Sequence, residues 1–385
     1  KALVGPIKAA QDALAAKDYA TALQQVKAAQ AVPDQSDFDK FTVNRFVAAV
    51  AANMKDFPTA STAYDAVTSS SYFSDLDPKE QQATIHDALI ISQSAEHWPQ
   101  VIAYGQKLEA LKALDPLTET MVAIGYYKQN DNANAKKYAQ MAVDAAKAAG
   151  QQPEPNALII LGNVEGKQDP DAARRMLEQI VLNTNSTDDW SKLIDDALSH
   201  RGTKPIDAIF LYRLRFALGA MRAEDYSVLG PLSVQLHLDK EAATVWQQGI
   251  SSGKITAGQA NGLSAARANA AKDEGALSAI AAAASRSGKG QDSLAVAEDY
   301  WGYGRYGDVE TMARAASSKG GLKDPTEATM LLGMALVMEG KYDQAQTTLA
   351  AANGAEVRAR AAHLWALYAQ VKAKGTPAQP APAGH

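Results

Sequence analysis

The stretch Leu332-Gly333-Met334-Ala335-Leu336, followed by Gly340-Lys341-Tyr342 and then by Ala345, Leu349 and Ala352, constrains this chain more than any other feature. Weaker copies of it run from end to end. Tyr19 precedes Ala22, Val26 and Ala29; Phe57 precedes Ala60, Tyr64 and Val67; Trp98 precedes Val101, Gly105 and Leu108; Tyr306 precedes Val309, Ala313 and Ala316. In each copy the aromatic is followed three, seven and ten positions later by apolar or small residues. On a helix of about 3.6 residues per turn those positions share one face. Small residues at its ends let two helices approach closely, and the larger one between them fills the gap. Short polar turns, Lys17-Asp18, Lys55-Asp56, Glu96-His97 and Gly304-Arg305, stand before the aromatics. The unit predicted is a helix, a tight turn and a second helix.

Three further copies are degraded. Asn132 and Pro170 occupy the aromatic position, before Ala135, Ala139 and Ala142 and before Ala173, Leu177 and Ile180, and Tyr226 precedes Leu229 and Leu236. From Tyr19 onward the openers are spaced by 38, 41, 34, 38, 56, 80 and 36 residues, so the 80-residue gap predicts a hidden unit near Ala266 to Ser285. Asp77-Pro78, Asp115-Pro116, Pro153-Glu154-Pro155, Asp169-Pro170 and Asp324-Pro325 read as caps followed by proline in a first helical turn. Asn183 to Asp189, His200 to Pro205 and Ser285 to Gln291 read as loops, and no strand pattern of convincing length is present. A final amphipathic helix is predicted from Glu356 to Lys372, and the Pro/Ala-rich end reads as a tail. The predicted divisions are regular repeats over 1–182, an irregular helical middle over 183–254, repeats with a capping helix over 255–374, and the tail over 375–385.

At 385 residues the chain exceeds the ~250–300 that one globular core usually organises. Low aromatic content, 7%, and abundant alanine suit an array of helices. The absence of cysteine excludes disulfides, thiolate metal sites and a cysteine nucleophile. With 38 basic against 43 acidic residues, the net charge of −5 gives no basic footprint for nucleic acid. No uncharged stretch reaches the ~18 residues of a membrane span, so no direct insertion is expected. The first residue is Lys1, not methionine, which fits a processed, exported and periplasmic chain; a cytoplasmic one is the alternative.

Catalytic and cofactor signatures are missing. Gly302-Tyr303-Gly304-Arg305-Tyr306-Gly307 matches a dinucleotide fingerprint in letters, but a helical stretch precedes it where that fingerprint needs a strand, so it reads as a repeat turn. The histidines, His86, His97, His200, His237, His363 and His385, form no metal-binding pair. No catalytic residue, metal ligand or cofactor is expected.

The Leu-Gly, Tyr and Ala spacing resembles the tetratricopeptide repeat, two helices in about 34 residues. The resemblance covers most of 1–352 and is thinnest between 183 and 290. It implies an all-α fold, a right-handed α-solenoid whose first helices line a concave face, and a non-enzymatic scaffold or adaptor holding a protein or peptide there. Carried across residue by residue, it places Thr42, Arg45, Asn53, His86, Gln93 and Lys128 on the early part of that face. It places Leu211, Leu214, Leu218, Met221, Trp301, Met330, Met334 and Met338 on the later part. The leucine group is read as core. For Trp301 and the methionines two readings stand level: an adaptable apolar surface for a partner helix, or core beneath the final helix. Two other functions fit the same helices: a carbohydrate-active enzyme on a helical toroid, and a structural subunit of an envelope assembly.

Overall fold

The computed structural model describes residues 2–352 and 354–375; the Pro/Ala tail lies almost wholly outside them, as does His385. Helices and turns, with no strand, make up the described residues. The chain divides into two compact units between Met176 and Leu177.

The first unit is a run of antiparallel pairs: α1 (Val4–Ala15) with α2 (Tyr19–Gln30), α3 (Asp37–Asn53) with α4 (Phe57–Thr68), α5 (Pro78–Ser94) with α6 (Trp98–Ala110), and α7 (Pro116–Lys128) with α8 (Asn132–Ala148). α9 (Pro155–Glu165) follows, and α10 (Pro170–Thr184) carries the chain into the second unit. There lie α11 (Thr187–Leu198), α12 (Pro205–Ala217), the pair α13 (Ala223–Gln235) and α14 (Asp239–Ser251), and a single long α15 (Leu263–Arg286). The pairs α16 (Gly290–Gly302) with α17 (Tyr306–Lys319) and α18 (Pro325–Met338) with α19 (Tyr342–Ala350) come next, then α20 (Glu356–Ala373).

One turn recurs in seven pairs. Lys17, Lys55, Glu96, Asn130, His237, Gly304 and Gly340 all adopt left-handed φ between 55° and 77°. In each, the amide of that residue donates to the carbonyl three back, and the next amide donates to the carbonyl five back, as in Lys17 to Leu14 and Asp18 to Ala13. This Schellman pattern satisfies the carbonyls at the end of the first helix. The second helix then starts one residue later, where Asp18, Asp56 and Asp131 cap it through Thr21, Thr59 and Asn134. Tyr19, Phe57, Trp98, Asn132, Pro170, Tyr306 and Tyr342 each begin a helix, as the spacing predicts. Gly333 shows why the signature carries glycine: a Cβ there would meet Leu349 of the paired helix at 2.5 Å.

Three expectations between Asn183 and Ser285 are corrected. Tyr226 lies in the first turn of α13 and opens no second helix. The pair turns at His237, and Asp239 opens α14, with Ala242, Trp246 and Gly249 buried at the three, seven and ten offsets. The opener is an aspartate, so the aromatic pattern passes it over. The gap near Ala266 to Ser285 holds one 24-residue helix, α15, and no pair. The stretch read as a loop from Asn183 is helical but for residues 185–186, because Ser186 caps α11.

α20 departs furthest from expectation. It is no amphipathic cap: Val357, Arg358, Ala361, Ala362, Leu364, Trp365, Leu367, Tyr368, Ala369 and Val371 are all buried. It packs against α11, α12, α18 and α19. A helix apolar on most faces is stable only inside protein, and its polar atoms must find partners there. Trp365 Nε1 donates to the Phe210 carbonyl at 2.9 Å, Tyr368 Oη to that of Ala217 at 3.3 Å, and the Arg358 guanidinium pairs with Asp207 at 2.6 Å and with Asp324.

Candidate functional site

α20 decides which of the sequence candidates can meet a partner. Met330 and Met334 are fully buried beneath it, so the core reading replaces the partner-binding one for both. Leu211, Leu214 and Met221 are also core. Trp301 is 8% exposed; its ring meets Trp365 at 6.1 Å and Tyr306 at 5.1 Å, both edge-on. Met338, one turn beyond Met334, is half-buried and reaches a cavity that Trp301 also lines.

The early candidates are not brought together. Arg45 is exposed, pairs with Glu80 and lies over Phe41; Asn53 donates to the Ala49 carbonyl of its own helix at 2.8 Å. His86 lines a shallow depression with Lys79, Gln82 and Leu108. Lys128 lies over the Trp98 ring at 5.6 Å. Each is held by a local contact, and they converge on no common site.

The cavity at Trp301 has a volume of about 320 Å³. α12 brings Arg213, Phe216 and Ala217; the first turns of α14 bring Lys240, Glu241, Thr244 and Val245; α16 and its turn bring Trp301, Gly302, Tyr303 and Gly304; Tyr306 and Met338 complete it. Helices α14 and α16 meet closely: a Cβ on Gly302 would stand 3.0 Å from the Glu241 backbone nitrogen.

Arg213 is the centre of this site. Its side chain is 1% exposed, donates to both oxygens of Glu241 at 2.7 and 2.8 Å and to Glu298 Oε2 at 2.7 Å, and faces the Trp301 ring at 5.2 Å. Burial works against its charge, and the two carboxylates overcome that and raise its pKa above the usual arginine value. Its Nη1 has no hydrogen-bond partner, and neither has Glu298 Oε1. A buried donor left open costs about 1–3 kcal/mol, so its place beside an aromatic-walled cavity is chemically informative. The cavity's own walls are mainly apolar and aromatic, with Phe216, Trp301 and Tyr306 among them. Burial first, then the Glu241 charge, raises the pKa of the Tyr306 hydroxyl above its ordinary value.

Sequence reasoning reached Trp301 and Met338 and missed Arg213, Glu241 and Glu298. A signal existed: Arg213 and Arg215 interrupt the apolar run Phe210-Leu211-Tyr212 to Leu214 and Phe216, in a helix predicted to be core. A charge in such a place needs a buried partner, but the partners lie 28 and 85 residues away. Among the described residues no group of three or more histidine or carboxylate side chains could hold a metal ion, and no helix is long and apolar enough to cross a membrane.

No family model matches this chain, and no curated protein matches it. Among solved structures it is similar to a chain of the APC/C hetero-tetramer Cut9–Hcn1, with 14% identity and a TM-score of 0.23 over 92% of this chain. It spans 65% of the length of that chain, and at such a score the two backbones do not superpose closely. The fold rests on the chain's own geometry: within each unit the recurring left-handed turn, the shared buried face and the packing of successive helices make an all-α fold of helical repeats.

Proposed function

We propose that this protein is a non-catalytic interaction scaffold that holds a polypeptide segment at the Arg213–Trp301 cavity. The supporting observation is an aromatic-lined space of about 320 Å³ walled by Phe216, Trp301, Tyr303 and Tyr306. A segment would place one apolar side chain on Phe216, Trp301, Tyr306 and Met338. Mostly apolar concave sites with a few fixed polar groups are the usual form of such sites. Of the three methionines only Met338 reaches this cavity, because Met330 and Met334 are fully buried.

Thr244 is exposed at the cavity and belongs to no core contact, so Thr244→Trp closes the space without disturbing the arginine triad. A random-peptide display library selected on the full chain should enrich apolar-anchored sequences that the Thr244→Trp protein fails to retain. Equal retention by both proteins, or none by either, removes this cavity as the binding site.

A second reading, hydrolysis of a glycan, has one observation in its favour. Asp299 lies half-buried among other carboxylates, and burial, then Asp273 and Glu298, raises its pKa to about 6, within the range of a general acid. Turnover of any member of a glycan panel, abolished by Asp299→Asn, would favour it over the scaffold.

A further inference from the structure

α15 stands alone where the repeat would supply a pair, and it leaves a second cavity, of about 160 Å³, against α14 and α16. Its walls carry Asp239 and Glu241 from α14, Asp273 from α15, and Glu298 and Asp299 from α16, set among Leu277, Ile280 and Tyr303. Glu241 spends both oxygens on Arg213, and Glu298 spends one. Asp239, Asp273 and Asp299 enter no ion pair among the described residues. Glu298, 8% exposed, keeps Oε1 unpartnered at this cavity. The Lys240 ammonium is not paired with them: it lies over the Tyr303 ring at 5.0 Å. Lys240, Glu241, Gly302 and Tyr303 are walls of both cavities.

We propose that the second cavity takes an arginine or lysine side chain from the same segment that anchors its apolar residue in the first, so that the partner is read as an apolar residue with a cationic one a few positions away. This rests on the scaffold reading above. The chemistry favours an organic cation over a metal ion, since the carboxylates do not converge as a coordination set. A long cationic side chain also brings an apolar stem, for which Leu277, Ile280 and the Tyr303 ring are suitable walls, while its head meets Asp273 and Asp299. The volume is room for one extended side chain. Burial and the neighbouring carboxylates raise Asp299 to about 6, and an incoming cation would relieve that crowding.

The test uses the full chain as wild type, as Thr244→Trp, and as Asp273→Asn with Asp299→Asn, whose substitutions leave the Arg213 triad intact. From a random-peptide display library the wild type should enrich peptides with an apolar anchor and an arginine or lysine at a fixed spacing. The double asparagine variant should keep the anchor preference, lose the basic one, and bind a synthetic wild-type-selected peptide at least tenfold more weakly. The same peptide with its cation replaced by norleucine should bind both proteins alike. Anchored peptides without a basic preference, or an unchanged Kd in the asparagine variant, overturn the cation-reading cavity and leave the scaffold standing. If no peptide is retained, the scaffold reading falls, and thermal-shift titration with ethylguanidinium and spermidine decides the cavity. A rise in Tm confined to the wild type assigns it to small organic cations and overturns the peptide source. No rise overturns the site altogether.

Discussion

The two units are made of the same helix pairs but are held together by different chemistry. In the first, the buried polar groups other than Glu119 are hydroxyls, which bond within a helix or to an adjoining one: Ser61 to Ser92 and His97, each at 3.0 Å, Thr118 to its cap Asp115, and Thr120 to its own helix. In the second they are guanidiniums and carboxylates, with Arg213 on Glu241 and Glu298, Arg215 on Asp225 and Asp195, and Arg358 on Asp207 and Asp324. A stack whose members touch only neighbours needs no long-range instruction. A unit that also accommodates a central helix from the end of its own sequence does, since Arg358 and Asp207 are 151 residues apart. Buried ion pairs are a poor source of stability but discriminate strongly against wrong partners, which suits them to fixing where α20 sits.

The sharpest way to break that contrast is to remove the anchors of α20. Trp365→Ala should cost about 3–5 kcal/mol, the usual range for a buried tryptophan, and hydrogen exchange should place the lost protection on the helices that α20 touches. If the loss is below about 1 kcal/mol, α20 is a passenger and the contrast fails. Next in size, Arg213→Ala leaves two buried carboxylates without a partner and should cost about 3–5 kcal/mol. Arg45→Ala in the first unit, whose ion pair is nearly half exposed, should cost about 0–1 kcal/mol. Equilibrium urea unfolding of both variants tests the pair together.

A smaller effect separates the units by pH. Burial first, then neighbouring carboxylates, raises Asp299 to about 6 and Glu327 to about 7, against unfolded values of about 3.9 and 4.3. Between about pH 4 and pH 7 these two groups therefore bind more protons in the folded chain than in the unfolded one, so the stability they allow is present below pH 4 and lost as pH rises. Asp299→Asn should leave stability unchanged near pH 4 and add on the order of 1 kcal/mol near pH 8, after discounting for the exposed part of the group. A gain equal at both pH values would show that the carboxyl is not held protonated. The same substitution is expected to weaken cation binding, so stability and recognition would trade against each other at one residue.

The smallest effect lies in the turns. Lys17 and Lys55 hold left-handed φ where the last two turns use Gly304 and Gly340. Relieving that strain by Lys55→Gly should stabilise by about 0.5–1 kcal/mol, and Gly340→Ala should destabilise by a similar amount. Thermal unfolding of the two variants, with shifts of opposite sign, checks it.

Much of the pair architecture was legible because it is local. The offsets after Tyr19, Phe57, Trp98, Tyr306 and Tyr342 mark buried faces, and aspartate followed by proline marks helix starts at Pro78, Pro116, Pro170 and Pro325. The His237 turn was missed because the turn is specified by backbone conformation, which histidine can adopt at a cost, and not by the aromatic that usually accompanies it. The site was legible only in part: Trp301 and Met338 stood out as apolar residues on a shared face, and Arg213 stood out as a charge in the wrong surroundings.

By itself the sequence determined most of the repeat: the helices and apolar faces that follow Tyr19, Phe57, Trp98, Tyr306 and Tyr342, and the turns before them, but neither the His237 turn nor the single α15. Those properties follow from spacings of ten residues or fewer, set by the helical period and by caps. Only the tertiary structure decided that α20 lies inside the second unit, that Met330 and Met334 are core while Met338 is not, and that Arg213 meets Glu241 and Glu298 beside an aromatic cavity. An apolar stripe carries no label saying which of several apolar surfaces will cover it. That choice is made by shape and by buried charge pairs whose members lie tens to hundreds of residues apart, and no local pattern records it.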